Sequence, residues 1–559
     1  MKKITILLVA VTALAAGCKK FTENINNNPN QPTLVTPNVL LSAALTTSAS
    51  DMANNYQSAA RWMCFWARSG NFIQTIPQET YAITTGYADQ EWQNLYTELS
   101  KYKYMENHAE GDPFYQGVAK TFEALDFSTL VDGYGNVPYS QAFNLQKYPN
   151  PKYDDAATIY TDLVQQCDSA VYYFQKAITY YGTTATASQI STDATYDVIY
   201  GRLGLSTTAR VNDWIKFANS VKLRILMTAR ASSAPAFSSS NITAELAKVN
   251  ATGQGYIGSD YAAGTGYAYD QATNESAAVN PGYTNAQASQ QNPFFADFYL
   301  PANTPNNSLA FFRANQYYIN FASKFNDDRY TDDYSYFGNG TFVGIYDGDP
   351  NAAPNSNTSQ LGANDGASNV VPTTIGTLQS SSQSEFIMSD FESLFWQAEA
   401  AQLGYITTPG AAQTYATIGT EQSYVYLNDN GDGVVAHNVT NADNFLGTTG
   451  GTEIDVTTAT PTLRAVMTLK WSAENSINWE QAYTDYRRTG YPVPDGTYFG
   501  FSHAQNVVQH SSPDVTGQPH SINFPYRYLY PQSEINTNGA NIPSGTGPYT
   551  TIFWDTREK

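Results

Sequence analysis

A chain of 559 residues can bury a large core, as one elaborate domain or as roughly two to four simpler ones. Its formal net charge of −20 repels phosphate backbones and anionic headgroups, which argues against nucleic acid and bare anionic membrane as partners. Only 14% of the residues are charged, while 14% are aromatic and 42 are Tyr. With Asn, Thr, Ser, Gly and Gln filling the rest, such a surface suits neutral polyhydroxy ligands, although most of these rings must serve packing.

The chain opens with Lys2 and Lys3, an apolar run from Ile4 to Ala13, and Leu14-Ala15-Ala16-Gly17-Cys18. The run is shorter than the roughly 20 residues of a membrane span and reads as a secretory signal over residues 1–17. Small residues before Cys18 make it a candidate lipid anchor, because cleavage leaves its thiol at the new N-terminus. Ala15 stands where a lipobox usually has Leu, and Leu14 lies one step earlier. The alternative is an ordinary signal peptide with a chance cysteine. Losing Lys2 and Lys3 takes the charge from −20 to −22. No other segment is long and apolar enough to cross a bilayer, so the lipid would be the sole anchor. Residues 18–35 read as the lipidated tether, since Asn26-Asn27-Asn28-Pro29-Asn30-Gln31-Pro32 supports neither a helix nor a buried face.

Helices are expected next. Thr36-Pro37 is a start signal, and Leu40, Leu41, Ala44, Leu45, Met52, Tyr56, Ala59, Ala60 and Met63 keep a helical period. Further helices open at Asp89 (Trp92, Leu95, Tyr96, Leu99 and Tyr102 inward) and at Asp112-Pro113 (Val118, Ala119, Phe122 and Leu125 inward). Two more open at Asp154, with Ile159, Leu163, Cys167 and Phe174 on one stripe, and at Asp213, with Trp214, Phe217 and Val221. Each has the pattern of a helix buried on one face. Residues 232–385 are rich in Gly, Asn, Ser, Thr, Tyr and Pro, and long irregular stretches of this kind point to a binding surface. Helices return from Phe386 to Leu403 and from Thr462 to Arg488, with a break near Asn478; residues 491–559 are again irregular.

Cys64 and Cys167 fall on predicted apolar stripes and read as buried free thiols, with a disulfide as the alternative. The loop after the first helix carries Trp62, Trp66, Arg68, Asn71 and Phe72 within eleven residues. Trp62 and Trp66 are four apart and would share a helical face. Trp62, beside Met63, reads as core. Trp66 lies nearer the helix end, beside Arg68 and Asn71, so an aromatic plane, a guanidinium and an amide would meet a sugar ring together. Tyr267, Tyr269 and Tyr283 are candidates for the opposite wall.

Five motifs in chain order carry a resemblance: Asn26 to Thr33 after the anchor; Asp132-Gly133-Tyr134-Gly135-Asn136-Val137-Pro138-Tyr139-Ser140-Gln141-Ala142, followed by Pro151-Lys152-Tyr153-Asp154; and Asp213-Trp214-Ile215-Lys216-Phe217-Ala218-Asn219-Ser220-Val221-Lys222-Leu223-Arg224. Arg487-Arg488-Thr489-Gly490-Tyr491-Pro492 and Tyr530-Pro531-Gln532-Ser533-Glu534-Ile535-Asn536-Thr537-Asn538 complete the set. Together they resemble the SusD/RagB family, in its second SusD-like group. Asp327-Asp328-Arg329 departs from the family's Asp-Pro-Arg. The resemblance implies a mostly α fold, with tetratricopeptide-type helix pairs as a scaffold and a loop-rich, ligand-facing side with small strands. It implies one domain over 36–559, its helical scaffold at about 36–231 and 386–490 and its loop-rich part at about 232–385 and 491–559. It further implies an outer-membrane lipoprotein of the Bacteroidota that binds nutrients, oligosaccharide or glycan above all, and delivers them to a SusC-like TonB-dependent barrel.

An enzyme is the rival class. His108, His437, His503, His510 and His520 show no metal-ligand spacing, and no nucleophile elbow or phosphate loop is present. The loop from Asn428 to Gly433 has an EF-like spacing of oxygens, but its twelfth place is Val439 where calcium needs a bidentate Glu. The expectation is therefore no catalytic residue, no metal and no cofactor. A surface adhesin or scaffold is the third class, and the presence of a barrel partner would discriminate against it.

Overall fold

The computed structural model describes residues 35–54, 57–73, 77–81, 83–109, 111–261, 275–336, 340–349, 352–362, 375–428, 435–448, 453–492 and 525–556. The signal, Cys18 and the tether up to residue 34 lie outside them, as do Tyr267 and Tyr269.

The protein is mostly helical. Its main helices are α1 (Pro37–Asn54), α2 (Asp89–Asn107), α3 (Pro113–Tyr134), α4 (Ala156–Thr183), α5 (Thr207–Ala229), α6 (Asp390–Gln402), α7 (Ala411–Leu427), α8 (Leu463–Ala473) and α9 (Trp479–Thr489). Their starts are written in the sequence. Asp112 accepts from the Phe114 amide (2.9 Å) ahead of Pro113, and Asp155 accepts from the Thr158 amide (3.0 Å). Ser389 and Asn478 cap α6 and α9 in the same way. Such caps satisfy amides that the first helical turn leaves unpaired. Helix α1 packs on α2, α2 on α3, α3 on α4, α4 on α5 and α5 on α6; α6 then meets α7 and α8. One hydrophobic cluster runs from Leu41 to Trp554 and includes Trp214, Trp396 and Trp471.

The strands among the described residues form two-stranded ribbons. They pair β1 (Trp66–Arg68) with β7 (Phe312–Ala314), β2 (Val137–Pro138) with β3 (Tyr153–Asp154), β4 (Ala277–Val279) with β8 (Glu385–Met388), and β5 (Tyr299–Leu300) with β6 (Thr304–Pro305).

Several expected boundaries move. The first helix does not run through Met63: α1 stops at Asn54, a short helix covers Gln57–Trp62, and Cys64 takes a left-handed φ of 61°. That conformation cannot continue a helix, so Trp66 leaves on a strand and shares no helical face with Trp62. The helix expected at Asp154 begins at Ala156 because Asp155 is the cap. Asp154 lies in β3, where it accepts from the amides of Tyr139 (3.2 Å) and Ser140 (2.7 Å). Helix α5 starts at Thr207, capped by Ser206, and buries Arg210 and Val211 ahead of Asp213. Residues 385–388 form a strand before α6. The middle region is more ordered than its composition suggests, with helices at Ser239–Thr252 and Gln316–Phe325. Asn428 ends α7 with φ 51°, and residues 429–434 lie outside the described residues. No helix of the described residues is long and apolar enough to cross a membrane.

The motif residues turn inward and tie distant elements together. Asp132, 2% exposed, accepts from the hydroxyl of Tyr160 and from Trp554 Nε1 (3.0 Å), and lies 3.8 Å from Arg224. Arg487 donates to the carbonyls of Asp132 (2.6 Å) and Tyr526 (2.8 Å). Arg488 grips Glu399 through two bonds of 2.5 and 2.6 Å and also reaches Asp485. Arg329 grips Asp327 at 2.8 and 2.7 Å. Between them, Asp328 has φ −74°, close to the angle a proline imposes, so the departure from Asp-Pro-Arg preserves this turn. Cys64 and Cys167 are both buried and free; burial raises both thiols, Cys167 to about 12.

Candidate ligand-binding face

The segment after the first helices is built around β1. Its register pairs Trp66 with Ala314, Ala67 with Arg313 and Arg68 with Phe312. The ladder extends by one bond, from the Ser69 amide to the Phe311 carbonyl at 2.8 Å. This pairing turns Trp66 into the interior, where it is 0% exposed. Its ring lies against Phe294, Phe298, Phe312 and Trp479, and Nε1 donates to Ser476 Oγ at 3.0 Å. Trp66 thus offers no face to a sugar, contrary to the role expected of it. Trp62 is core as expected, packed among Tyr81, Tyr87, Tyr483 and Tyr528.

Arg68 is also buried, at 2%, and faces inward rather than toward a ligand. It pairs with Glu79 at 2.6 Å and donates from Nη1 to the carbonyls of Ser69 (3.0 Å) and Phe72 (2.9 Å). One guanidinium therefore curls the loop from below, a use of its rigid fork of donors. What the loop presents outward is Asn71, which is exposed, Phe72, half-buried, and Ile73, 86% exposed.

A second wall comes from far along the chain. Phe72 meets Phe311 edge to face, centroids 5.0 Å apart. Under Phe311 lies the buried guanidinium of Arg61, 4.9 Å from the ring centroid. Burial lowers the Arg61 pKa, against the pull of Asp347, whose carboxyl is itself pushed up to about 7 by burial. The Gly70 amide donates to the Ala353 carbonyl at 3.0 Å, and a Cβ on Gly70 would stand 1.9 Å from the Ala352 carbonyl oxygen. Only glycine allows the two backbones to approach this closely.

The sequence thus identified Asn71 and Phe72 as residues at one surface, misplaced Trp66 and Arg68, and passed over Phe311, Arg61 and the 352–353 segment. Phe311-Phe312 is one aromatic pair among many, and only strand pairing separates its outward from its inward ring. Tyr283 is 8% exposed and lines a separate pocket with Thr46 and Gln291. Among the described residues no group of His, Cys, Asp and Glu could hold a metal ion.

A family model described as SusD-like, "Starch-binding associating with outer membrane", matches residues 29–531. The chain belongs to the SusD-like family. The mostly helical SusD-like fold implied by the motifs is the fold observed, and the family is one of outer-membrane-associated carbohydrate binders rather than catalysts. Among solved structures, a SusD-like protein from Bacteroides thetaiotaomicron VPI-5482 is 18% identical, with TM-score 0.66, over 93% of this chain and 99% of its own. A SusD homologue from Bacteroides fragilis NCTC 9343 is 18% identical, with TM-score 0.64, over 94% of this chain and 100% of its own. A chitin-binding SusD homologue from Flavobacterium johnsoniae is 16% identical, with TM-score 0.65, over 92% of this chain and 98% of its own. No curated protein matches the chain.

Proposed function

We propose that this SusD-like protein is a surface lipoprotein that captures neutral glycan at the Asn71–Phe72 face and delivers it to a TonB-dependent outer-membrane barrel. The observation that carries this reading is the family match over residues 29–531. The exposed amide of Asn71 beside the Phe72–Phe311 ring pair adds to it: amides bond hydroxyls, and ring faces and edges pack on the C–H side of a sugar. The starch-binding description of the family and the chitin-binding relative set the ligands to try first, maltooligosaccharides and chitooligosaccharides.

Truncating a packed aromatic anchor costs about 2 kcal/mol of binding or more, roughly thirtyfold in affinity. Calorimetric titration of Phe72→Ala should show a loss of that order, with the thermal midpoint nearly unchanged because the ring is half-buried. Unaltered affinity for every oligosaccharide that the wild type binds would remove this face from the reading.

Residues 1–17 act in this proposal as the signal, Cys18 as the lipid attachment point and residues 18–35 as the tether. Labelling with a palmitate analogue should mark the wild type and not Cys18→Ala, which should leave the membrane fraction. Gentle detergent extraction of the tagged protein should bring a large barrel with it. Recovery of the protein alone, where other such pairs survive, would favour an adhesin.

A further inference from the structure

A groove of about 600 Å³ runs between the start of α2, the loop after β2 and the short helix Gln532–Asn538. It shares no lining residue with the Asn71–Phe72 loop. Its walls are mostly apolar and include Trp92, Tyr96, Pro138, Phe143, Leu145 and Pro149. Phe143 is 36% exposed and Leu145 67% exposed. Phe143 also holds a left-handed φ of 62°, an angle that disfavours any residue with a side chain. Residues held against such a preference cluster at ligand clamps. The ring stands beside Tyr96, centroids 6.1 Å apart, and Phe127, at 6.3 Å.

Most polar groups around the groove are already paired. The Tyr96 hydroxyl donates to the Pro138 carbonyl at 2.7 Å, Ser533 Oγ to Asp89 Oδ1 at 2.7 Å, and Asn538 Nδ2 to the Pro151 carbonyl at 2.8 Å. Three acceptors remain. Glu534 Oε2 accepts from the Tyr153 hydroxyl at 2.8 Å, while Oε1 is unpaired among the described residues and open to solvent. Gln93 Nε2 donates to Asp89 at 3.0 Å, which leaves its Oε1. The Thr97 hydroxyl lies one turn along the same exposed face of α2. No basic side chain lines the groove. Of the lysines nearby in the chain, Lys147 lies over the Tyr148 ring at 4.9 Å and Lys152 pairs with Asp154 at 2.8 Å. Glu534, and Asp89 behind it, therefore have no basic partner among the described residues.

We propose that this groove binds a small organic cation, a primary ammonium carried on an apolar, ring-bearing body. An ammonium has three donors and no acceptor, which matches the three open acceptors and the uncompensated charge. The body would pack on Phe143, Leu145 and the prolines. A neutral sugar, with hydroxyls all round, would meet walls that offer it no partners. The volume lies within the usual range of ligand pockets, about 300–1,000 Å³.

Calorimetric titration of the full chain with phenethylammonium, phenethyl alcohol and phenylpropanoate tests this. The ammonium should bind roughly tenfold more tightly than the alcohol, the worth of a charge-assisted hydrogen bond, and the carboxylate should not bind. Added salt should weaken the ammonium and leave the alcohol unchanged. Glu534→Gln keeps an oxygen for Tyr153 and should bring the ammonium to the level of the alcohol without lowering the melting temperature. Phe143→Gly removes the ring and relaxes the backbone angle, and it should weaken both probes. Thr97→Trp, at an exposed position, should block both in a protein that melts as the wild type does. Phe72→Ala should change nothing, which separates the groove from the proposed glycan face. Equal affinity for ammonium and alcohol, a preference that survives Glu534→Gln, or binding that survives Thr97→Trp would overturn the proposal. Silence from all three probes would overturn it equally.

Discussion

Trp66→Ala is expected to lower the unfolding free energy by about 3–5 kcal/mol, the usual cost of deleting a buried Trp. The ring is fully enclosed by four aromatic neighbours, and its N–H is bonded to Ser476. Alanine leaves a cavity in a close-packed interior and removes the bond that Ser476 accepts, leaving only the one it donates to Asn475 Oδ1 at 3.2 Å, and both effects push the same way. Chemical denaturation with a thermal melt would measure the loss. The fraction that remains folded should bind glycan as the wild type does, because the proposed ligand-side residues are Asn71 and Phe72. A variant of normal stability with much weaker binding would place the ring at the ligand after all and would refute the interior assignment. Trp66→Phe, which keeps much of the volume, should cost distinctly less.

The second large effect is expected at Glu399. Its carboxylate is 0% exposed and receives Arg488 through two bonds and Arg230 through one of 2.9 Å. Breaking such a pair from one side strands the partner's charge and costs about 3–5 kcal/mol. Glu399→Gln should therefore destabilise strongly, whereas the double change Glu399→Leu with Arg488→Met should recover part of the loss: apolar replacement of the central pair is often neutral, but Arg230 loses Glu399 and Asp485 keeps only Lys470. If the double variant is no better than the single one, the pair is not the source of the effect.

The pH dependence has a definite sign. Burial alone would raise the Glu399 pKa, but Arg488 and Arg230 outweigh it and hold it below the ordinary value. A carboxylate depressed in the folded state adds stability that is fully present above its unfolded pKa, about 4.3. That stability is lost as pH falls through the lower folded value. The wild type should therefore weaken below about pH 4. Glu399→Gln, already destabilised, should lack this part of the acid slope.

Helices with a cap and a clear stripe were legible in the sequence: Asp112-Pro113 and Asn478 start α3 and α9 where expected. The chain was hardest to read where a single backbone angle decides the path. Cys64 at φ 61° ends a helical pattern that Tyr56, Ala59, Ala60 and Met63 would otherwise extend, and that one residue turns Trp66 from presumed rim to core. The proposed ligand face needed long-range pairing, since Phe311 and the 352–353 backbone meet the Ser69–Phe72 loop from more than two hundred positions away. What local pattern could not show is that Asp132, Arg487 and Arg488 work as buried charges, because burial of a charge depends on partners that arrive from other parts of the chain.

The dormant thiols have a practical consequence. Cys64 and Cys167 are enclosed, and their raised pKa values keep them in the unreactive protonated form. A cysteine placed at Ile73, 86% exposed on the loop of Phe72, would be the only reactive sulfur presented by the described residues. An environment-sensitive dye attached there would turn the folded protein into an optical reporter, its emission testing directly whether a sugar settles beside Phe72.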